Sequence, residues 1–415
     1  MKTTSLRHSH LPSAMKSRFI PPLLALFLAS RSAPALFRGD EDQPRDYRLS
    51  GEYFQDVAAI RPPADEARAF EQAYSGFRVT TGSVTAKDLY LEQGLKVPVR
   101  EDDGDGKPAF LGGLEYREGQ DFNGSFRHFT MRGGPAFGEA WSAQLVALLD
   151  PRKEYADAAA SLRREDGRAQ FETRLTLPNF VYEGKNPGGA VFTQRPFNLL
   201  VRWQDEYAGG VVPWLRSESD FRSETRYPEE DDHRFDFQSY SNAAGLDLPL
   251  GGAWCLYSKV EQTSTRKEVL WLSPEGYRET LDHQAGTVEA ISGPRAPGRV
   301  RFGYEYDHLY EARAQLTPEG RSAKINRDDH ILYGYRTFPF WRRLLLDVGL
   351  SLKLGDLSEI PLGQPEYERQ DNGMKAKGVL EWVYQGERLM FDLSPTLDLD
   401  EMKFGGGVCR IAWSF

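Results

Sequence analysis

The sequence predicts an all-β fold, an antiparallel up-and-down transmembrane β-barrel of about 16 strands within a range of about 14 to 18. Three observations lead to this prediction. Apolar and polar residues alternate along many segments, an N-terminal segment has the pattern of a secretory signal peptide, and the chain ends in a strand with an aromatic last residue. A soluble β-sandwich or barrel is the alternative fold.

The composition fits a β-rich chain. Of the 415 residues, 39 are glycine and 12% are aromatic. The mean hydropathy of -0.56 excludes a bundle of transmembrane helices, because each helix would need about 20 consecutive apolar residues. A barrel remains compatible with this value, since only alternate strand residues meet lipid and the lumen is polar.

The chain is acidic, with a formal net charge of -9. Residues 1–35 hold five basic and no acidic residues, so the remainder has 47 basic against 61 acidic residues, a charge of -14. Nucleic-acid binding requires clustered Lys and Arg. The sequence therefore predicts no nucleic-acid partner.

Residues 15–35 have the pattern of a secretory signal peptide. Lys16 and Arg18 form a basic start, residues 19–29 are apolar, and Ala33-Pro34-Ala35 is a small-residue cleavage site. The apolar stretch is too short to span a bilayer as a helix. We therefore expect the protein to be exported.

Three segments follow from this pattern. Met15 is a second candidate start, because the residues before it are polar. We expect a signal peptide over residues 1–35, a periplasmic or irregular segment over 36–75, and the barrel over 76–415.

Period-two alternation is clearest in three segments, where a helix would scatter the apolar residues around its axis. The apolar faces are Leu346, Val348, Leu350, Leu352 and Leu354; Val300, Phe302, Tyr304, Tyr306, His308 and Tyr310; and Leu389, Phe391, Leu393, Pro395, Leu397 and Leu399. If these faces point to lipid, the charges between them line the lumen: Arg301, Glu305, Asp307, Glu311, Asp347, Lys353, Asp392 and Asp398.

Turns and loops indicate up-and-down connectivity. Gly167 and Gly386 lie in tight turns, and Pro151 separates two strands within residues 141–165. We interpret residues 100–108, 184–195, 222–233, 274–297 and 357–373 as longer polar connections. At about 21 to 24 residues for each strand and its connection, the barrel segment holds about 16 strands, an even number as in bacterial single-chain barrels.

The last strand contains Ile411, Trp413 and Phe415, which share one apolar face. Arg410 lies on the opposite face, which we assign to the lumen. This ending resembles the C-terminal signal of bacterial outer-membrane proteins. The resemblance covers about ten residues directly. It implies that these three apolar residues are read by the outer-membrane assembly machinery, and that the chain resides in the outer membrane of a Gram-negative bacterium.

Two Asp-Asp-His triplets, residues 231–233 and 328–330, resemble the working parts of omptin-type outer-membrane proteases, in which carboxylates and His activate water. Adjacent strand residues point to opposite faces, so one triplet alone cannot converge on a water molecule. We therefore expect these triplets to be acidic loop edges and assign no catalytic residue.

Asp102, Asp103 and Asp105 form a Gly-rich acidic loop whose oxygens could bind Ca²⁺. The loop lacks the twelve-residue length and the closing Glu of a full calcium loop. We interpret it as a solvated turn, and predict neither a metal nor a cofactor.

The leading functional hypothesis is an outer-membrane channel of porin type for diffusion of small hydrophilic solutes, because rings of acids and bases in a lumen select polar solutes. One alternative is a scaffold or interaction barrel for another secreted protein, in which the charges pair and fill the lumen. Another is an outer-membrane hydrolase. The expected partners are outer-membrane lipid, the assembly machinery and small solutes, and a homo-oligomer is left open.

Overall fold

The computed structural model describes residues 76–83, 89–103, 107–121, 124–138, 140–150, 155–166, 169–182, 191–228, 233–270, 276–293, 296–316, 322–360, 369–386 and 389–414. The expected signal peptide and N-terminal segment, residues 1–75, lie outside this part of the chain, and so does Phe415. The described part is strand throughout its regular structure, and none of its residues form a helix able to cross a membrane. The prediction of an all-β, antiparallel fold is confirmed.

The fold has 19 strands. They are β1 (Gly76–Ser83), β2 (Leu89–Asp102), β3 (Pro108–Asp121), β4 (Gly124–Phe137), β5 (Trp141–Asp150), β6 (Tyr155–Asp166), β7 (Ala169–Tyr182), β8 (Val191–Gln194), β9 (Asn198–Gln204), β10 (Val212–Tyr227), β11 (His233–Gly251), β12 (Trp254–Leu270), β13 (Tyr277–Ser292), β14 (Val300–Gln315), β15 (Ser322–Trp341), β16 (Leu344–Ile360), β17 (Arg369–Gln385), β18 (Leu389–Asp398) and β19 (Lys403–Ser414).

All 19 strands belong to one antiparallel sheet. Each strand from β1 to β6 and from β9 to β18 pairs with the next one in sequence. β7 pairs with β9, and the short β8 pairs with β10 further along the edge that β9 occupies. β1 pairs with β2 on one edge and with β19 on the other. Among the described strands, β8 is therefore the one with a single partner.

The predicted number of about 16 strands is not confirmed, because the sheet has 19. Residues 274–297, interpreted from the sequence as a polar connection, contain β13. Both faces of β13 carry polar residues, which weakens the alternation that marks a strand. The separation of β8 from β9 is a second point that concerns the strand number. The three residues between these strands include Pro196, which lacks a backbone N–H.

β16 shows how the sequence divides the sheet into two faces. Val348, Leu350 and Leu354 are 39%, 54% and 46% exposed. Asp347 and Ser351, which alternate with them, are buried. The alternation predicted from the sequence is present, with the apolar side exposed and the charged side buried.

Glycines on the buried face let aromatic rings lie across the neighbouring strand. A β-carbon built on Gly349 would lie 2.1 Å from the Tyr335 ring, and one on Gly245 would lie 2.5 Å from the Trp214 ring. Real side chains do not approach this closely, so the rings occupy the space that the glycines leave free.

Candidate functional site

The polarity of the sheet is reversed relative to that of a water-soluble protein. Within the described residues, 25 polar or charged residues are buried against 13 apolar ones. Charged residues are almost never fully buried in soluble proteins unless they are paired. Large apolar side chains cover the other face, including Leu145, Val260, Phe302, Leu332 and Leu350, each more than half exposed.

Buried charges on β14 to β17 form a set of ion pairs that we call the charge network: Arg301, Asp307, Arg327, Asp329, Asp347, Lys353 and Glu381. At its centre, Arg327 Nη2 lies 3.2 Å from Asp307 Oδ1, and Arg327 Nε lies 2.7 Å from Asp329 Oδ2. Lys353 Nζ lies 3.1 Å from the same Asp329 oxygen. Each buried base in this centre therefore faces a buried acid, which offsets the cost of taking both from water.

The network continues on both sides of this centre. Arg301 Nη2 lies 3.7 Å from Glu381 Oε2 and 4.0 Å from Asp347 Oδ2, and its guanidinium lies 4.5 Å from the centroid of the Tyr335 ring. His283 Nε2 lies 2.9 Å from Asp307 Oδ2. Paired charges thus fill this part of the buried face.

The structure places all nine lumen candidates from the sequence on the buried face. The buried members are Arg301, Glu305, Asp307, Glu311, Asp347, Lys353 and Asp392. Asp398 and Arg410 are largely covered, with 23% and 14% of the side chain exposed. Arg410 Nη1 donates a hydrogen bond to Asp392 Oδ2 over 3.1 Å, and Lys377 Nζ lies 3.5 Å from Asp398 Oδ1.

The last strand has the apolar phase that the sequence indicated. Ile411 and Trp413 are 39% and 54% exposed, while Phe415 lies outside the described residues. β19 lies between β18 and β1, with Trp413 opposite Leu389 on one side and Phe77 on the other. Its apolar residues therefore belong to the same exposed face as those of β16.

The Asp-Asp-His triplet at residues 328–330 is divided between the two faces of β15. Asp329 belongs to the charge network, whereas the other two residues lie on the exposed face, where Asp328 Oδ1 accepts a 2.8 Å hydrogen bond from the Tyr306 hydroxyl. The described triplet therefore does not converge on one point. In the triplet at residues 231–233, both Asp residues and the His side chain lie outside the described part of the chain.

The acidic loop after β2 uses its carboxylates to hold a turn. Asp103 Oδ1 accepts a 2.8 Å hydrogen bond from the backbone N–H of Lys107, and Asp102 Oδ1 lies 2.6 Å from Arg100 Nε. Asp105 lies outside the described residues. Within them, no group of three or more His, Cys, Asp or Glu residues is arranged to hold a metal ion.

A cavity of about 1490 Å³ lies against the buried face. Residues from β2 to β7 and from β9 to β16 line it, so the sheet curves around it. Among the described lining residues, eleven are Lys or Arg and eight are Asp or Glu. Arg301 and Glu305, two of the lumen candidates, are among them.

Four cavity residues on neighbouring strands form what we call the arginine wall: Arg163, Arg174, Arg202 and Arg216. Arg202 of β9 lies directly opposite Arg216 of β10, and Glu172 lies opposite Arg202 on the other side. Like charges directly opposite each other destabilise a strand pair. Both arginine side chains are 49% exposed, because they extend into the cavity.

The ion pairs of the arginine wall span distances similar to those of the charge network, but their bases are more exposed. Arg216 Nη2 lies 2.6 Å from Glu218 Oε2, but Arg202 Nη1 lies 3.8 Å from Glu172 Oε2.

Sequence reasoning missed the arginine wall. The signal was present on β7 and β10, where Arg174 alternates with exposed Leu175 and Leu177, and Arg216 follows exposed Leu215. On β10 the alternation is weak, because Ser217 and Ser219 follow Leu215 on the exposed face.

No protein-family model matches the chain, and no curated protein is significantly similar to it. Any functional conclusion therefore rests on the fold and the site. Together they define an all-β protein with one antiparallel sheet, whose charged face is buried and lines a cavity.

Proposed function

We propose that the chain is a β-barrel of the bacterial outer membrane that acts as a channel of porin type for small hydrophilic solutes. The observation that carries this proposal is the reversed polarity of the sheet. Large exposed apolar surfaces mark contact with lipid or with other proteins, and a charged interior suits a water-filled lumen. Only helices and closed barrels satisfy their backbone hydrogen bonds inside lipid.

The strand pairing supports closure of the sheet into a barrel. β1 has partners on both edges, β2 and β19, and these two strands are the second and the last of the sheet. Since β8 and β9 occupy the same edge of β10, the 19 strands occupy 18 positions. An even number is what single-chain bacterial barrels have, and closure pairs both edges of every described strand except the short β8.

The height of the apolar band supports a membrane position. On β16, five alternate apolar residues run from Leu346 to Leu354, and the next residue on that face is Asp356. Nine residues match the roughly 9 to 11 that a tilted strand needs to cross the hydrocarbon layer.

The connections also fit this arrangement. At one end of the sheet, two-residue turns link β11 to β12 and β15 to β16, and the longest connections, from β9 to β10 and from β13 to β14, have seven residues. At the opposite end, eight residues separate β7 from β8 and eight separate β16 from β17. Short turns on the periplasmic side and longer loops outside are typical of outer-membrane barrels. The signal-peptide pattern of residues 15–35 and the C-terminal resemblance support export and delivery by the assembly machinery.

The cavity favours a channel over the alternatives. Its volume of about 1490 Å³ and its charged lining suit passage of small polar solutes. A scaffold barrel is the second candidate, because the charge network fills part of the interior with paired side chains. The hydrolase has no comparable support, since residues 328–330 are divided between two faces.

The test is current through planar lipid bilayers. Full-length protein, folded in detergent and checked by the shift of its gel mobility on heating, should give stepwise current increases in concentrated potassium chloride. Folded protein that inserts into vesicles but gives no current would overturn the channel proposal. A secreted protein that co-purifies in fixed ratio would then favour the scaffold.

A further inference from the structure

We infer that the arginine wall is a binding subsite for small oxyanions, carboxylates or phosphates, and that it makes the channel prefer anions. The preference for transported ions rests on the proposed function. The binding does not, because it concerns the cavity alone. Nothing in the net charge of the chain suggests this preference, since residues 36–415 carry a formal charge of -14.

The register of the strands brings the four arginines together. Arg163 and Arg202 lie on either side of Glu172, and Arg216 lies directly beyond Arg202. Arg174 is two residues along β7 from Glu172, on the same face. On the far side of Arg216, the opposite residue of β11 is the uncharged Ala243, and beyond it Glu261 of β12 pairs with Lys259.

The balance of charge in this patch is positive. Four guanidinium groups face three carboxylates, those of Glu172, Glu218 and Asp220. The charge network, by contrast, holds three bases against four acids: Arg301, Arg327 and Lys353 against Asp307, Asp329, Asp347 and Glu381. Unbalanced positive charge therefore collects on the arginine wall and not on the opposite side of the interior.

An anion would relieve the repulsion between Arg202 and Arg216. Two guanidinium groups held opposite each other repel, and an oxyanion between them turns the contact into two charge-assisted hydrogen bonds. The planar fork of guanidinium matches the two oxygens of a carboxylate or phosphate. Rings of Arg and Lys are the usual filters of anion and phosphate pores.

The wall is accessible to a solute. The Arg202 and Arg216 side chains are about half exposed, and the exposed part faces the cavity. Trp214 lines the same cavity two residues before Arg216 on the same face of β10. Its indole therefore provides a fluorescence reporter of binding at the wall.

The first experiment measures binding on the folded full-length protein in detergent. Citrate and inorganic phosphate are titrated separately against tryptophan fluorescence, with chloride at equal ionic strength as reference. We expect a saturable change with at least one oxyanion that is lost in the double variant Arg202→Gln/Arg216→Gln. Arg343→Gln, in the exposed turn between β15 and β16, is the matched control and should respond like the unchanged protein. Identical titrations of the unchanged protein and the double variant would overturn the subsite.

The two titrations separate the two sources of oxyanion. A response to citrate alone assigns the subsite to carboxylates, and a response to phosphate alone assigns it to phosphates. Either result supports the inference, whereas a chloride reference that reproduces both curves contradicts it.

The second experiment measures ion selectivity from the reversal potential across a potassium chloride gradient. The unchanged channel should favour chloride, and the double variant should shift toward potassium. A current without this preference, together with flat titrations, overturns the inference and leaves the channel standing. A saturable titration without any current overturns the channel and leaves the subsite standing.

Discussion

The charge network and the arginine wall lie on the same buried face, yet their charges differ in burial. Arg327 is 0% exposed and has a carboxylate within 3.2 Å on each side. Arg202 is 49% exposed, and Glu172 lies 3.8 Å away. Buried pairs depend on both partners, whereas solvated pairs contribute little. The network therefore holds the strands together, while the wall stays available to a solute.

Removal of one network acid should have the largest effect. Asp329→Ala leaves Arg327 and Lys353 without their shared carboxylate, and the loss of stability should be about 3 to 5 kcal/mol. Urea unfolding in lipid vesicles, followed by tryptophan fluorescence, measures it. The matched change beside the arginine wall is Glu218→Ala, which removes the carboxylate paired with Arg216. The loss of stability should be below about 1 kcal/mol. Equal losses for the two variants would remove the distinction between the regions.

A charge placed on the exposed face should have the second-largest effect on stability. Leu350→Arg puts a guanidinium into the centre of the apolar band on β16, at a cost of about 2 to 4 kcal/mol in lipid. The same unfolding measurement in vesicles applies. Asp356→Arg, on the same face beyond the band, is the control and should cost at most about 1 kcal/mol. Equal losses of stability for Leu350→Arg and Asp356→Arg would show that the exposed face does not contact lipid.

Overfilling the buried face should have an intermediate effect. Gly349→Val pushes a side chain into the Tyr335 ring, and overpacking of this kind costs about 1 to 3 kcal/mol. Gly334→Val on the exposed face has ordinary room around its β-carbon and should leave stability nearly unchanged. A loss for Gly334→Val as large as that for Gly349→Val would show that glycine in these strands matters for the backbone and not for the ring.

The smallest effect on stability should come from the wall itself. Arg202→Gln/Arg216→Gln removes exposed charges that repel each other, so the free energy of unfolding should change by less than about 1 kcal/mol. Unfolding in vesicles beside the ion-selectivity measurement tests this. A large loss of stability would make the wall a structural element like the network.

Much of the face assignment could be predicted from the sequence, because alternation is local. Asp347 and Lys353 alternate with leucines, so a strand places them together on one face. The partners could not be predicted in the same way. Arg327 and Asp329 lie on β15, where polar residues also occupy the exposed face and conceal the alternation.

The arginine wall was missed because it depends on long-range pairing. Arg174 and Arg202 lie on neighbouring strands only because β7 pairs with β9, across residues 183–197, which include β8. The predicted number of about 16 strands differs from the 19 in the sheet partly for a local reason. β13 has polar residues on both faces, which conceals its alternation. Local patterns thus predict which face a residue takes, and the register between strands decides which charges meet.

The central claim is that the alternate apolar residues of β16 contact lipid. Nitroxide labels placed one at a time at positions 346 to 354, with Cys255 and Cys409 replaced by Ser, test it in vesicles. Collision with oxygen, which concentrates in lipid, should peak at 346, 348, 350, 352 and 354 and fall at the positions between them. No alternation, or stronger collision with a water-soluble nickel complex at the leucine positions, would contradict the account.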